Sequence, residues 1–257
     1  MVWLLALVWQ FPAQALPLES SLAGKIVWQG VAPTVAPFRA PVSPGVGQPD
    51  PALKTWANPL APKIAADGGL AGVLVWVEGP APKTRPPVRV VVRDNQIQIQ
   101  QGEKLVPVGL LQVGDSITVE SQQANLFTLR ARGASSFAIP LVEQGKAVTR
   151  KLDKAGWVEL SSGSGQYWAR AWLWVGAPAL ATFTDDLGNF DWQGLQPGKV
   201  SVYARLPDWR VTRMERDQET GEILLANYGP PRTHKVEVDL KSGEKARVEM
   251  AFKADQR

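Results

Sequence analysis

Short strand-like runs separated by turn signals constrain this chain more than any other feature. From residue 70 onward they recur at roughly 8–12-residue spacing, which is typical of all-β folds. Residues 96–100 (QIQIQ) alternate strictly, so Ile97 and Ile99 face one way and the glutamines face the other. No segment repeats apolar residues at helical spacing over three turns. The sequence, which also contains 21 prolines and 23 glycines, predicts an all-β fold.

The strands fall into two groups, which predict two β-sandwiches. The first covers residues 16–176, and its first strand is predicted at residues 24–30 (GKIVWQG). The second and smaller sandwich covers residues 177–257. Its last two strands are predicted to pair as a hairpin across Lys241-Ser242-Gly243. Each group is long enough to bury a core of its own.

Residues 31–62 form a proline-rich insertion in the first sandwich, with eight prolines. Proline lacks the backbone N–H and fixes φ, so neither a helix nor a central strand is expected here. Polyproline-like wrapping or a loop is the prediction, and a ligand for a proline-recognition domain is the alternative.

The first 15 residues (MVWLLALVWQFPAQA) predict a signal peptide. An apolar run from Val2 to Trp9 leads to Ala13-Gln14-Ala15, which fits a small-x-small cleavage site. The run is too short to span a bilayer, which needs about 20 residues. A periplasmic or secreted protein is therefore expected, and a buried N-terminal strand is the alternative.

Composition excludes several kinds of chemistry. The chain has no cysteine, so disulfides, thiol catalysis, zinc–cysteine sites and type-1 copper centres are excluded. The net charge is +4, but basic and acidic residues are interleaved after residue 80, and no basic stripe is present. A mixed-charge solvated surface is expected, and nucleic-acid binding is not.

Residues 161–175 (SSGSGQYWARAWLWV) place a flexible Ser/Gly run before an aromatic strand. In a strand, Trp168, Trp172 and Trp174 share one face, with Arg170 among them. Two interpretations remain open. The tryptophans belong to the core and to the seam between the two sandwiches, or they form a platform on which a sugar or an aromatic ligand stacks.

Candidate binding residues follow from the second interpretation. They are Trp168, Arg170, Trp172 and Trp209. Exposed aromatic residues available to a partner are predicted among Trp56, Trp192 and Trp209.

Other clusters carry weaker signals. Asp185, Asp186, Asn189 and Asp191 lack the spacing and the closing bidentate acid of a calcium loop, and they match a hairpin turn. The single histidine, His234, is interpreted as a solvated loop residue because it has no catalytic partner nearby in the sequence. No nucleophile elbow, phosphate loop or dinucleotide fingerprint is present. We predict no catalytic residue, no metal and no cofactor, and we do not expect an enzyme.

Three stretches carry a resemblance to a known family. They are residues 24–33 (GKIVWQGVAP), residues 68–79 (GGLAGVLVWVEG) and residues 184–209 (TDDLGNFDWQGLQPGKVSVYARLPDW). The third is the most specific, because a Thr-Asp-x-x-Gly-x-Phe hairpin leads to a Pro-Gly-Lys turn. The chain resembles bacterial proteins, labelled plastocyanin-like or methylamine-utilisation-like, in which a cupredoxin-like sandwich precedes a carboxypeptidase-regulatory-like (transthyretin-like) sandwich. The resemblance runs from about Gly24 to Phe252 and is weakest across the proline-rich insertion.

The resemblance implies a cupredoxin-like Greek key, a smaller transthyretin/Ig-like sandwich and a copper site that this chain has lost. Copper-binding members hold the metal with two histidines and a cysteine, sometimes with a methionine. The corresponding positions here hold Val108, Phe127, Gly163 and Gln166, with Ala169 in place of the methionine. None of these side chains ligates soft copper well, since imidazole and thiolate are the groups that hold it.

The expected function is an exported, non-enzymatic binding or structural module of the bacterial cell envelope, a degenerate cupredoxin without copper. Two alternatives remain: a carbohydrate-binding module, since the second sandwich resembles folds classed as carbohydrate-binding-like, and a metal-free docking relative of an electron-transfer protein. An envelope protein or a glycan is the expected partner, with no membrane span and no nucleic acid.

Overall fold

The computed structural model describes residues 19–41, 53–80, 82–219 and 223–254, and the predicted signal peptide at residues 1–15 lies outside these ranges. The described chain is all-β, which confirms the predicted fold class. None of the described ranges contains a helix long and apolar enough to cross a membrane.

The described residues form 23 strands. They are β1 (Ser20–Gln29), β2 (Phe38–Pro41), β3 (Leu53–Trp56), β4 (Lys63–Ile64), β5 (Leu70–Ala71), β6 (Leu74–Val77), β7 (Val88–Arg93), β8 (Gln96–Gln101), β9 (Lys104–Val106), β10 (Val108–Leu111), β11 (Ser116–Ser121), β12 (Phe127–Gly133), β13 (Phe137–Leu141), β14 (Val148–Lys151), β15 (Gly156–Ser162), β16 (Arg170–Val175), β17 (Ala181–Phe183), β18 (Asn189–Leu195), β19 (Gly198–Leu206), β20 (Val211–Arg216), β21 (Ile223–Tyr228), β22 (Arg232–Leu240) and β23 (Lys245–Lys253).

Two five-stranded sheets form the central sandwich. One has the order β10-β16-β15-β12-β13, and the other has the order β14-β11-β7-β8-β9. Most pairs are antiparallel, but β10 runs parallel to β16 and β7 runs parallel to β11. The chain changes sheet repeatedly between β9 and β15, which is the Greek-key-like path of many β-sandwiches. Alternate residues such as Val90, Val119, Leu129 and Leu160 are fully buried between the two sheets.

A three-stranded sheet, β18-β1-β23, and a four-stranded sheet, β17-β6-β19-β22, form the outer sandwich. Leu22 and Ile26 of β1 and Val75 of β6 are fully buried in its core. The division into two sandwiches therefore does not follow the predicted boundary at residue 176. β1 and β6 belong to the outer sandwich, although they precede the strands of the central sandwich in sequence. β1 lies between β18 and β23, partners so distant in sequence that a local pattern cannot identify them.

The last two strands form an arch between sheets, and the predicted hairpin pairing is wrong. β22 pairs with β19 in the four-stranded sheet, while β23 pairs with β1 in the three-stranded sheet. The turn itself is present, since the amide of Glu244 donates to the carbonyl of Lys241 over 3.1 Å. Alternation predicts which side chains are buried, and it leaves open whether the next strand continues the same sheet or the facing one.

Two hairpin arms pack onto the central sandwich. The first, β2–β3, comes from the proline-rich insertion and forms a separate two-stranded sheet, so the expectation of no central strand there agrees with the structure. The second, β20–β21, comes from the charged segment after Trp209. Phe38 and Trp56 of the first arm and Ala226 of the second are buried in the core of the central sandwich.

A cluster of aliphatic side chains, surrounded by aromatic ones, joins the two sandwiches at a seam. The buried residues Leu74, Val108, Leu110 and Ala177 form its centre. Trp76 of the outer sandwich packs edge-on against Trp174 of the central one, with ring centroids 5.2 Å apart. The position of Trp174 at the seam agrees with the interpretation of the tryptophans as core and seam residues.

Candidate functional site

The loop of residues 163–169, between β15 and β16, is where the sequence placed the former copper ligands. Gln166 is 3% exposed, and its Oε1 accepts hydrogen bonds from the hydroxyls of Ser162 at 2.6 Å and Ser164 at 3.0 Å. The backbone amide of Thr128 donates to Ser164 Oγ over 3.0 Å. These contacts bring the loop against the start of β12.

Three of the four positions that the sequence analysis assigned to a former metal site meet at this end of the central sandwich. The amide of Gly163 donates to the carbonyl of Thr128 over 2.7 Å, and Phe127 precedes Thr128 and is fully buried. Gln166 reaches the same point through the serine hydroxyls. Val108 lies elsewhere in the packing, because it pairs with Trp172 in the parallel β10–β16 ladder and belongs to the seam.

The side chains at this end do not fit copper. Phe127 offers no donor atom, and the amide oxygen of Gln166 is already saturated by two hydroxyls. Ala169 is buried and apolar in the place given to the methionine. In the described part of the chain, no group of three or more histidine, cysteine, aspartate or glutamate side chains could hold a metal ion. His234 lies on β22, with its ring 4.7 Å from that of Phe252.

The β2–β3 arm covers this loop. The indole of Trp56 stacks on that of Trp168 with centroids 4.8 Å apart, and the hydroxyl of Tyr167 donates to the carbonyl of Arg39 over 3.1 Å. The ring of Phe38 meets Tyr167 edge-on. The loop is therefore packed beneath a hairpin.

Trp168 is a core residue, which corrects its assignment to a binding platform. β16 begins at Arg170, so Trp168 lies in the preceding loop and does not share a strand face with Trp172 and Trp174. Its side chain is fully buried, and its Nε1 donates to the carbonyl of Asn95 over 3.0 Å. Burial of the whole indole leaves no surface for a ligand.

A cleft of about 990 Å³ lies between the central sandwich, the outer sandwich and the β20–β21 arm. Its central wall is the outer face of the β15–β16 pair, where Glu159 stands opposite Trp172. Arg170 and Trp172 both line it, as strand alternation on β16 requires. The structure therefore brings two of the four predicted binding residues to one cavity.

Arg170 is a buried charge of the cleft, at 3% exposure, as is Asp208. Its Nη2 donates to the carbonyl of Ala226 over 2.8 Å, and its Nε lies 3.1 Å from Glu159 Oε1. Within the described residues, Arg170 Nη1 and the buried hydroxyl of Tyr228 have no hydrogen-bond partner. Burial lowers the pKa of Arg170 and raises the pKa of Tyr228, while the charge of Glu159 opposes the first effect. A buried donor left unsatisfied costs free energy that a suitable acceptor would recover.

Arg205 of β19 reaches into the cleft from the outer sandwich. Its guanidinium lies 4.0 Å from the ring centroid of Trp157, a cation–π contact. Burial lowers the pKa of Arg205, and no carboxylate of the described residues opposes that shift. The nearby carboxylate of Asp208 is already paired with Arg210 over 2.7 Å.

The prediction of exposed aromatic residues is wrong for two of the three candidates. Trp56 and Trp192 are buried in the central and outer cores, respectively. Trp209 is half-buried, packs edge-on against Trp28 at 5.5 Å and has the guanidinium of Arg232 5.2 Å from its ring centroid. Trp209 therefore packs on the outer core, apart from Arg170 and Trp172.

Glu159, Arg205 and Tyr228 were missed by the sequence analysis. They come from three strands far apart in the chain, β15, β19 and β21, and no motif connects them. The one available signal was local: Glu159 is an acidic residue within a strand whose neighbours Val158 and Leu160 are apolar.

Several solved copper-protein structures are similar to part of this chain. The oxidised form of an amicyanin variant is 14% identical, covers 39% of this chain and 97% of its own, and has a TM-score of 0.28. A copper-containing nitrite reductase from Thermus scotoductus is 16% identical over 40% of this chain and 25% of its own, with a TM-score of 0.30.

A purple cupredoxin from Nitrosopumilus maritimus is 11% identical, with 35% of this chain and 98% of its own covered and a TM-score of 0.27. No protein-family profile and no curated protein matches the chain. The similarity is confined to about two-fifths of the chain, and the function proposed below depends on the chain's own residues.

Proposed function

We propose that this chain is an exported, non-enzymatic binding or structural module of the bacterial cell envelope, built on a cupredoxin-like central sandwich that carries no copper. The observation behind the proposal is the loop of residues 163–169. In this loop, two of the proposed former ligand positions hold a glycine and a saturated glutamine amide, and a third, at the neighbouring start of β12, holds the buried Phe127. Soft copper requires thiolate and imidazole donors, which none of these residues supplies.

Packing at the loop supports the same proposal. Electron transfer through a bound metal requires an accessible end of the sandwich, whereas the β2–β3 arm lies over this loop and stacks Trp56 on Trp168. The arm therefore covers the loop that holds Gly163 and Gln166. The export part of the proposal comes from the leader-like residues 1–15 alone.

The composition of the cleft supports a binding role. Catalysis of acyl or phosphoryl transfer needs a nucleophile beside a positioned base. Four carboxylates line the described cleft. Glu159 and Asp208 form ion pairs with Arg170 and Arg210, Asp185 accepts hydrogen bonds from the amides of Leu187 and Asn189, and Asp186 is exposed. An aromatic side chain, buried donors and a concave shape are the usual parts of a binding site.

Copper titration followed by visible absorbance tests the proposal. A copper-loaded blue protein serves as the positive control, and both Cu(II) and Cu(I) are added. We expect no intense blue band and no stoichiometric binding. An intense band that saturates at one copper per chain would overturn the proposal, because it would require a ligand set that we have excluded.

A further inference from the structure

Trp172 packs against the seam cluster and also lines the cleft. It is half-buried, and in the described ranges its indole stacks on no aromatic partner. In contrast, Trp157 is stacked on Trp174 and also lies against Arg205. Trp172 is therefore the indole that a ligand can reach.

Guanidinium groups stand at the two ends of the surface that Trp172 presents to the cleft. Along the β15–β16 ladder, Trp157 pairs with Trp174, Glu159 pairs with Trp172 and Ser161 pairs with Arg170. Since two residues of a strand advance about 7 Å, Arg205 over Trp157 and the buried Arg170 are separated by roughly two such steps. A ligand that stacks on Trp172 therefore has Arg170 at one end and Arg205 at the other.

Arg170 and Arg205 differ in which interaction partner is missing. Arg170 has Glu159 as an ion partner but keeps Nη1 without an acceptor in the described residues. For Arg205, no carboxylate lies within ion-pair distance among the residues that the structure describes. Glu159 is 44% exposed at its side chain, so its carboxylate can also accept hydrogen bonds from a ligand. The site thus offers donors to a carboxylate, acceptors to hydroxyls and an apolar plane between them.

We infer that the cleft binds an acidic saccharide, with a uronate carboxylate on Arg205, a pyranose face on Trp172 and ring hydroxyls between Glu159 and Arg170. This inference rests on the proposed binding role and names its ligand class. A guanidinium binds a carboxylate with charge-assisted hydrogen bonds in fixed geometry. Acidic and basic side chains line the cleft in equal number, which suits a singly charged sugar ring better than a dense polyanion.

Calorimetric titration of the full chain with digalacturonate tests the inference, and its dimethyl ester serves as the neutral control ligand. We expect the acid to bind at least about tenfold more tightly than the ester, since one charged contact is lost. Arg205→Gln should weaken acid binding by about tenfold and leave ester binding unchanged, and Arg205→Lys should restore part of the loss. Trp172→Ala should weaken binding of both ligands.

Arg89→Gln is the matched control variant, because Arg89 is 45% exposed at its side chain and pairs with Glu120 on the other central sheet. Its affinity should equal that of the unmodified chain, and circular dichroism of each variant establishes that it is folded. Equal binding of acid and ester, no binding of either, or selective binding of sulfate or an acidic peptide would overturn the inference. Those outcomes do not contradict the proposed function. Stoichiometric copper binding, in contrast, would contradict the proposed function and would not bear on saccharide binding in the cleft.

Discussion

Trp168 and Trp172 are four residues apart and have opposite surroundings. Trp168 is fully buried beneath Trp56, whereas Trp172 lines the cleft. Composition and alternation indicate that this stretch is aromatic and half-apolar, and they place Arg170 and Trp172 on one face. They do not reveal that β16 starts at Arg170 and that Trp168 lies in the preceding turn, where it stacks on Trp56 of the distant β2–β3 arm.

Replacement of Trp168 by phenylalanine should destabilise the chain by about 1–3 kcal/mol. The variant removes the indole N–H that satisfies the buried Asn95 carbonyl and also part of the stacking on Trp56. Urea unfolding followed by circular dichroism measures the loss. Trp172→Phe is the matched control and should cost under about 1 kcal/mol, since Trp172 is half-buried. Equal losses in the two variants would contradict the distinction between core and cleft.

Asp208 should make the stability of the chain fall on acidification. Burial raises the pKa of Asp208, but hydrogen bonds and charge from Arg210 outweigh it and hold the pKa below the ordinary value. The unfolded chain therefore binds this proton at higher pH than the folded chain does. The stabilisation is complete above the unfolded pKa, about 3.9, and is lost as pH falls through the folded value.

Asp208→Asn tests this pH dependence through urea unfolding between about pH 6 and pH 2. The variant should lose less stability than the unmodified chain over this interval. Arg210→Gln should flatten the same dependence, because it removes the group that lowers the pKa. An unchanged acid slope in both variants would show that the pair does not titrate as described.

At the scale of elements, local patterns identify strands more reliably than their partners. The strand at residues 24–30 and the alternating strands on either side of residue 242 are present as elements. Their positions differ from the prediction: β1, which was assigned to the first sandwich, joins β18 and β23 of the outer one, and β22 and β23 lie in facing sheets and not in a hairpin. Side-chain alternation predicts which side chains of a strand are buried. The strand with which it pairs depends on contacts between residues distant in sequence, which a single sequence does not show.

Gly24 tests the pairing of β1. A Cβ at Gly24 would overlap the ring of Phe190 on the neighbouring β18 and would come within 2.9 Å of Val248 on β23. Gly24→Ala should therefore destabilise the chain by about 1–3 kcal/mol through overpacking. Gly79→Ala is the control, because its Cβ would have no heavy atom within 4 Å. Thermal unfolding compares the two, and a harmless Gly24→Ala would contradict the position of β1 between these strands.

At the scale of the whole molecule, the chain order and the spatial order of the two sandwiches are interleaved. β1 and β6 complete the outer sandwich from the N-terminal side, and the β20–β21 arm returns to the central core through Ala226. The sequence predicted an all-β chain with two cores. It did not predict the cleft, since its walls assemble only when the outer sandwich and the arm close on β15 and β16.

A fragment of residues 177–257 should not fold on its own. It lacks seven of the sixteen buried side chains of the outer core in the described residues, among them Leu22, Ile26 and Val75. Loss of this much apolar burial exceeds the marginal stability of a small domain. Circular dichroism with urea should show no cooperative transition for the fragment, and a cooperative one would restore the boundary predicted at residue 176.

Hydrogen–deuterium exchange of the loop at residues 163–169, with and without copper, tests the central claim most directly. In the structure, the amides of Tyr167 and Ala169 are bonded within the loop, and the β2–β3 arm covers it. We predict slow exchange at these amides that is the same in the presence of Cu(I), Cu(II) or a chelator. Fast exchange that becomes slow only when copper is added would show an open metal site and contradict the account.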